Sequence, residues 1–288
     1  MADFINILGA GIAYGVLLFL MAGGLSVTMG MMGFANLAHG SLSMLGGYIV
    51  VMLMNWYGWP FFGALPMAAI GAAAAGVLVE RTIFKRFYWG NQLDQVLLTI
   101  GIVTMTVAGA TFVWGAVPPA VNVPSYLEGR VHIGFFDIGS YRLFLIVFGG
   151  ALTAAMVLGL EFTAFGAKIR AAVDNRRMTV SCGINIDRLF MLAFAIGSAL
   201  AGLGGGLAIY LVGLDPSFPV KYLVYLLVVV VVGGMGSIRG TLAASLALGI
   251  CDVVGKYYIP YLGAFIIYGV TVAILMVRPN GLFGRGGH

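Results

Sequence analysis

The stretch ILGAGIAYGVLLFLMAGGLSVTM, Ile7–Met29, runs 23 residues without an Asp, Glu, Lys or Arg. A hydrocarbon core of about 30 Å is crossed by roughly 20 helical residues. Backbone polar groups in lipid must find partners within the segment, so such a run is a helix and not an open strand. The same template finds eight further apolar runs: Leu37–Met54, Pro60–Val79, Gln95–Trp114, Tyr141–Leu160, Leu189–Leu211, Tyr222–Val232, Thr241–Val254 and Tyr261–Val277. Composition agrees: 61% of the 288 residues are apolar and 9% charged, against about 25% charged in an average soluble domain. Glycine is abundant at 44 residues, and inside apolar runs such small residues let helices approach closely. The expected fold is all-α, a polytopic integral membrane protein forming one domain over residues 1–288. No cleavable signal is expected, because only Met1–Asn6 precede the first run and they carry no Lys or Arg.

Lys and Arg give the chain a direction. Arg81, Lys85 and Arg86 follow the third run; Lys168, Arg170, Arg176, Arg177 and Arg188 fill the loop after the fifth; Arg278 and Arg285 lie in the tail. These loops share one side, assigned to the cytoplasm together with the C-terminus. The intervening loops are poor in positive charge, and Trp56, Trp59, Tyr257, Tyr258 and Tyr261 beside them read as an interfacial aromatic belt. The two runs flanking Gly233-Gly234-Met235-Gly236-Ser237-Ile238-Arg239-Gly240 are short, so the count is eight or nine crossings.

Catalytic patterns are missing: no Walker phosphate loop, no His-Glu-x-x-His, no nucleophile elbow. His39, His132 and His288 are dispersed, and Cys182 and Cys251 suggest neither a disulfide nor a metal site. No catalytic residue, metal or cofactor is expected on this chain, and the net charge of +5 reflects loop placement instead of a nucleic-acid partner. Ionisable residues are also rare inside the runs, with Asp252 near one end of the eighth and read as a carboxylate snorkelling to the boundary. Proton- or ion-coupled transport needs such residues mid-span; energy for any transport would then come from a partner.

The basic loop, about residues 163–187, is the most informative. Ala171, Ala172, Met178 and Cys182 define an amphipathic helix of about a dozen residues ended by Gly183, with Asn185 or Asp187 capping the next helix. Such a helix fits a groove on a soluble partner; its cations equally fit anionic lipid headgroups. The residues alone leave both open.

Three motifs together resemble the LivH-type permeases, membrane subunits of ABC importers for branched-chain amino acids and related solutes. They are Gly33-Phe34-Ala35-Asn36-Leu37-Ala38-His39-Gly40, the loop's Arg170-Ala171-Ala172 with Gly183-Ile184-Asn185, and Gly233–Thr241. Their order and spacing match across essentially the whole chain. The resemblance implies a coupling element at Arg170, Ala171, Ala172, Asp174, Gly183, Ile184 and Asn185, fitting a cleft on an ATP-binding subunit. It also implies partners: a second, related permease forming a heterodimer, two cytoplasmic ATP-binding subunits carrying ATP and Mg, and a periplasmic substrate-binding protein, in a bacterial inner membrane. Thr179 stands where a small alanine is usual and Leu37 where an aromatic is frequent, bearing on docking and on substrate choice respectively.

Asn36 and His39, one turn apart, and Thr99 and Gly101 are candidates for a translocation path; interhelical hydrogen bonding that only fixes packing is the competing role. Gly233, Gly234, Gly236 and Gly240 mark a helix break or a plain turn. Met29, Met31, Met32 and Met44 read as packing. The expected solute is a branched-chain amino acid, with urea, short amides and aromatic acids as alternatives. A partner-independent channel and a purely structural subunit are the competing functions.

Overall fold

The computed structural model describes residues 2–33, 36–87, 91–121, 123–133 and 136–283; Phe34, Ala35, Arg285 and His288 lie outside them. Helix α1 (Ala2–Met32) leads to α2 (His39–Tyr57), and α3 (Phe61–Phe87) follows with a π turn at Glu80–Phe84. After α4 (Gln92–Trp114), the long connection folds into an antiparallel hairpin of β1 (Arg130–Ile133) and β2 (Phe136–Gly139), with Val131 opposite Ile138. Then come α5 (Ser140–Phe162), two short helices α6 (Ala164–Asp174) and α7 (Arg176–Ser181), and α8 (Ile186–Val212). Helices α9 (Phe218–Gly233), α10 (Ile238–Tyr258) and α11 (Gly263–Val277) complete the chain.

All nine expected apolar helices are present among the described residues, as α1–α5 and α8–α11. Six of them (α1, α3, α4, α5, α8 and α10) are long and apolar enough to cross a membrane. The eighth run exceeds its expected bounds, reaching 21 residues in α10. Ser237 Oγ starts it by accepting from Gly240 N at 3.2 Å, and in the turns about Val254 Lys256 Nζ pairs with Asp252 Oδ2 at 2.6 Å. Asp252 is therefore buried and ion-paired, not snorkelling. The 16 residues of α9 and 15 of α11 remain short, at about 24 and 22 Å by helical rise.

Helices α1 and α8 form the centre, mostly buried, while α3, α4 and α5 leave most of their surface outward. Helix α10 packs along α1, and α2 and α3 along α8. The closest of these crossings needs glycine on both sides. A Cβ on Gly46 would stand 2.3 Å from the Cα of Gly202, so any side chain there forces α2 from α8.

The basic loops meet at one end. Lys85 pairs with Asp187 at 2.8 Å, Arg239 Nε with Glu161 at 3.1 Å, and Arg81 donates to the Met191 sulfur. Trp56, Trp59, Tyr257, Tyr258 and Tyr261 lie exposed at the opposite helix ends, the arrangement an aromatic belt requires.

Candidate translocation slot and docking face

Between α2, α3 and α4 lies a slot of about 280 Å³ with an almost wholly apolar wall. Helix α2 contributes Ser41, Met44, Leu45 and Tyr48; α4 contributes Ile102, Thr106, Gly109, Ala110, Val113 and Trp114; the rings of Phe84 and Phe194, 5.5 Å apart, also line it. Ser41 Oγ and Thr106 Oγ1 hydrogen-bond at 2.7 Å between α2 and α4. Tyr48 and Trp114 stack with centroids 4.4 Å apart. Three buried polar atoms on this wall have no hydrogen-bond partner: Asn36 Nδ2, Tyr48 Oη and Trp114 Nε1. These three atoms are closed off behind the wall, so the surface the slot offers a guest is almost wholly apolar and suits an aliphatic group.

Of the residues expected on a path, only Asn36 lines this slot. It is not helical: its Oδ1 accepts from Ala38 N at 3.1 Å, and its carbonyl accepts from His39 N at 3.3 Å, forming the turn that opens α2. His39 is buried beside the Met21 backbone, away from the slot lining. Thr99 is buried with its hydroxyl on Val96 O at 2.8 Å, and Gly101 faces open space. Met29, Met31 and Met44 are buried as packing residues, although Met44 also touches the slot.

At the basic end the expected single helix is two. Asn175 adopts an extended backbone (φ −152°), and its Oδ1 caps α7 by accepting from Met178 N at 3.0 Å. A side chain that caps a new helix ends the old one. Gly183, at φ +79°, reverses the chain after α7, and Asn185 Oδ1 accepts from Arg188 N at 3.0 Å to start α8. Arg170 turns inward, donating to Leu160 O and to Glu161 O and so satisfying carbonyls at the end of α5. Ala172 is buried within this chain, as is Thr179, whose hydroxyl bonds Asn175 O at 2.9 Å. Outward lie Ala171, Asp174, Gly183 and Asn185, with Ile184 half-buried. Two apolar residues join them, Met178 at 65% and Val180 at 56% exposure.

The glycine-rich stretch is a turn between helices and not a break within one. Gly234 and Gly236 take φ values of +97° and +79°. Gly233 and Gly240 let α9 and α10 touch: a Cβ on Gly240 would lie 1.9 Å from Gly233 O.

The sequence profile of the branched-chain amino acid transport system permease component matches residues 7–275. This chain belongs to that permease family. It is 26% identical to the high-affinity branched-chain amino acid transport system permease protein BraD of Pseudomonas aeruginosa, over 96% of this chain and 94% of that protein. It is also 26% identical to LivH of Escherichia coli, with the same coverage, and to LivM of E. coli over 90% of this chain and 66% of that one. No solved structure matches significantly. The family is one of transport subunits, not enzymes, in agreement with the missing catalytic patterns; among the described residues no His, Cys, Asp and Glu cluster is arranged to hold a metal.

Two parts of this permease escaped the sequence reading. The α4 wall of the slot follows a helical stripe, 102, 106, 109, 110 and 113, a signal present in the sequence but common to any packed helix. The tail folds back so that Leu282 N donates to Val232 O at 2.7 Å and Phe283 N to Gly233 O at 3.2 Å, sealing the end of α9.

Proposed function

We propose that this permease is one of two related membrane subunits of an ATP-driven importer. It carries branched-chain amino acids, or a related small amphipathic solute, inward across a bacterial inner membrane by alternating access. The observation that carries the reading is the outward face of α6 and α7: Met178 and Val180 stand exposed among charged residues at the Lys- and Arg-rich end. Apolar side chains on a short, well-capped helix beside cations fit a groove on a soluble protein better than a headgroup layer. The partners there are two ATP-binding subunits, which use ATP and Mg; this chain supplies the coupling element. In this reading that end and the C-terminus lie in the cytoplasm, which the excess of Lys and Arg supports, and a periplasmic binding protein delivers solute to the other.

The substrate named for the relatives suits the slot in its side chain, which the apolar wall favours. The test is a charged substitution on the outward face. Ala171→Glu should abolish ATP-driven uptake while the protein still inserts; Ala172 is unsuitable, because its burial makes it report on packing. Unchanged uptake in Ala171→Glu overturns the docking assignment and favours a partner-independent channel.

A further inference from the structure

The root of α6 is locked to the end of α5. Gly166 leaves no room for a Cβ against Leu160 O, and Arg170 donates to Leu160 O and Glu161 O. Beyond that root a cavity of about 660 Å³ opens between α6 and the α9–α10 turn. Ile169, Val173 and Asp174 line it from α6, and Met235, Ser237 and Arg239 from the turn and the start of α10. The docking element is therefore anchored at one end and has free space along one side.

Two contacts bridge this gap. The first is Val173. A Cβ on Gly30 of α1 would stand 2.6 Å from Gly236 Cα and 3.5 Å from Val173 Cγ2, and a Cβ on Gly236 would stand 3.2 Å from Val173 Cγ1. Each methyl of Val173 thus reaches one glycine, and the absence of side chains at both lets α1, the turn and α6 meet. The second is Arg239 Nε, paired with Glu161 at 3.1 Å. Arg239 lies in the first turn of α10, where Thr241 Oγ1 hydrogen-bonds Ser26 Oγ of α1 at 2.8 Å. Both bridges therefore end on the last two turns of α1, at Ser26 and Gly30. Asn36, which lines the slot, stands four positions beyond the end of that helix. Close-packed contacts of this kind change between discrete arrangements and do not deform continuously, so they pass a displacement on.

We propose that Val173 is a positioning residue of the transport cycle: seated against Gly30 and Gly236, it passes movement of the docked α6 to the end of α1 that leads to the slot. The Arg239–Glu161 pair is a parallel brace to the same end. The inference rests on the ATP-driven reading above and adds the joint through which this chain uses that energy. It also gives the cavity beside α6 a purpose, as the space into which the helix swings about Arg170.

The test uses the complete importer in proteoliposomes, with binding protein outside and ATP inside. It reads affinity for the ATP-binding subunit, ATP hydrolysis, and labelled L-leucine taken up per ATP. Val173→Ala removes both methyls and leaves the outward faces of α6 and α7 intact. Uptake per ATP should fall by about two- to tenfold while subunit affinity stays within about threefold of wild type. Val173→Ile keeps both Cγ atoms, and the cavity has room for its extra methyl, so it should restore the ratio. Arg239→Gln, at a side chain 61% exposed, should lower the ratio by about twofold. Combined with Val173→Ala it should lower it by more than the product of the single effects, as parallel braces require. A wild-type ratio in Val173→Ala overturns the joint, as does one in Arg239→Gln if the alanine variant fails to fold. Equal losses in Val173→Ile and Val173→Ala, or a matching loss of subunit affinity, also overturn it and leave Val173 a packing residue. Wild-type uptake that needs no ATP overturns the importer reading and the joint with it. ATP-driven wild-type uptake with full coupling in the variants overturns the joint alone.

Discussion

Removing the apolar face of α7 gives the sharpest test of docking. Met178 and Val180 are 65% and 56% exposed, so a partner has most of each side chain left to cover. Full burial of such side chains is worth roughly 1.5–3 kcal/mol apiece. Scaled by exposure, Met178 offers about 1–2 and Val180 about 0.8–1.7 kcal/mol, together roughly 2–3.5 kcal/mol. The double substitution Met178→Ser, Val180→Ser should then weaken binding of the ATP-binding subunit by up to roughly 30- to 300-fold. The assay is equilibrium binding of that purified subunit to the nanodisc-embedded permease, with circular dichroism to verify that α6 and α7 persist. Because both side chains point outward, permease stability should move little. Binding within about threefold of wild type would refute the assignment of this face, whatever its effect on uptake.

Three further outcomes follow from the geometry. Gly46→Val should destabilise the permease by about 1–3 kcal/mol or more, since its Cβ meets Gly202 backbone at 2.3 Å; Gly109→Ala, with nothing within 4 Å, should be near neutral in the same unfolding titration. Ser41→Ala, losing the 2.7 Å bond to Thr106, should cost only about 0.6 kcal/mol, the usual worth of such bonds in membranes, and should loosen α4 against α2 as read by hydrogen exchange. Burial raises the Asp215 carboxyl, but hydrogen bonds from Lys221 and Ser217 outweigh it and hold it below the usual carboxylate range. Its stabilisation is thus present above about pH 4 and lost as pH falls through the lowered value; Asp215→Asn should remove that acid limb from the pH dependence of unfolding.

The helices were legible because lipid leaves few alternatives. In lipid the backbone of Ile7–Met29 must pair within the run, so its length and composition suffice, and the same holds for the other apolar runs. Loop charge likewise predicts that Lys85 and Arg170 share an end, and Lys85 pairs with Asp187 of the same loop as Arg170. The hairpin at Arg130–Gly139 was illegible because four-residue strands leave little alternation to read. The split of the basic helix turned on one side chain: Asn175 is as compatible with the polar face of a helix as with capping α7. The slot depends on how three helices face one another, so Thr106 and Trp114 gain significance only from Ser41 and Tyr48 across the gap. Asn36 was legible for the opposite reason, an uncommon polar residue at a helix start. Asp252 was seen but misread, since its partner one turn on, Lys256, reads from sequence as part of the boundary loop.

The central claim is ATP-driven inward transport through docked subunits, and reconstitution tests it most directly. Proteoliposomes containing this permease, its sister permease and both ATP-binding subunits, with binding protein outside and ATP inside, should accumulate labelled L-leucine above the external concentration. Omitting ATP or the ATP-binding subunits should reduce uptake to background. Leucine that equilibrates at the same rate without either would contradict the account and mark the chain as a passive channel.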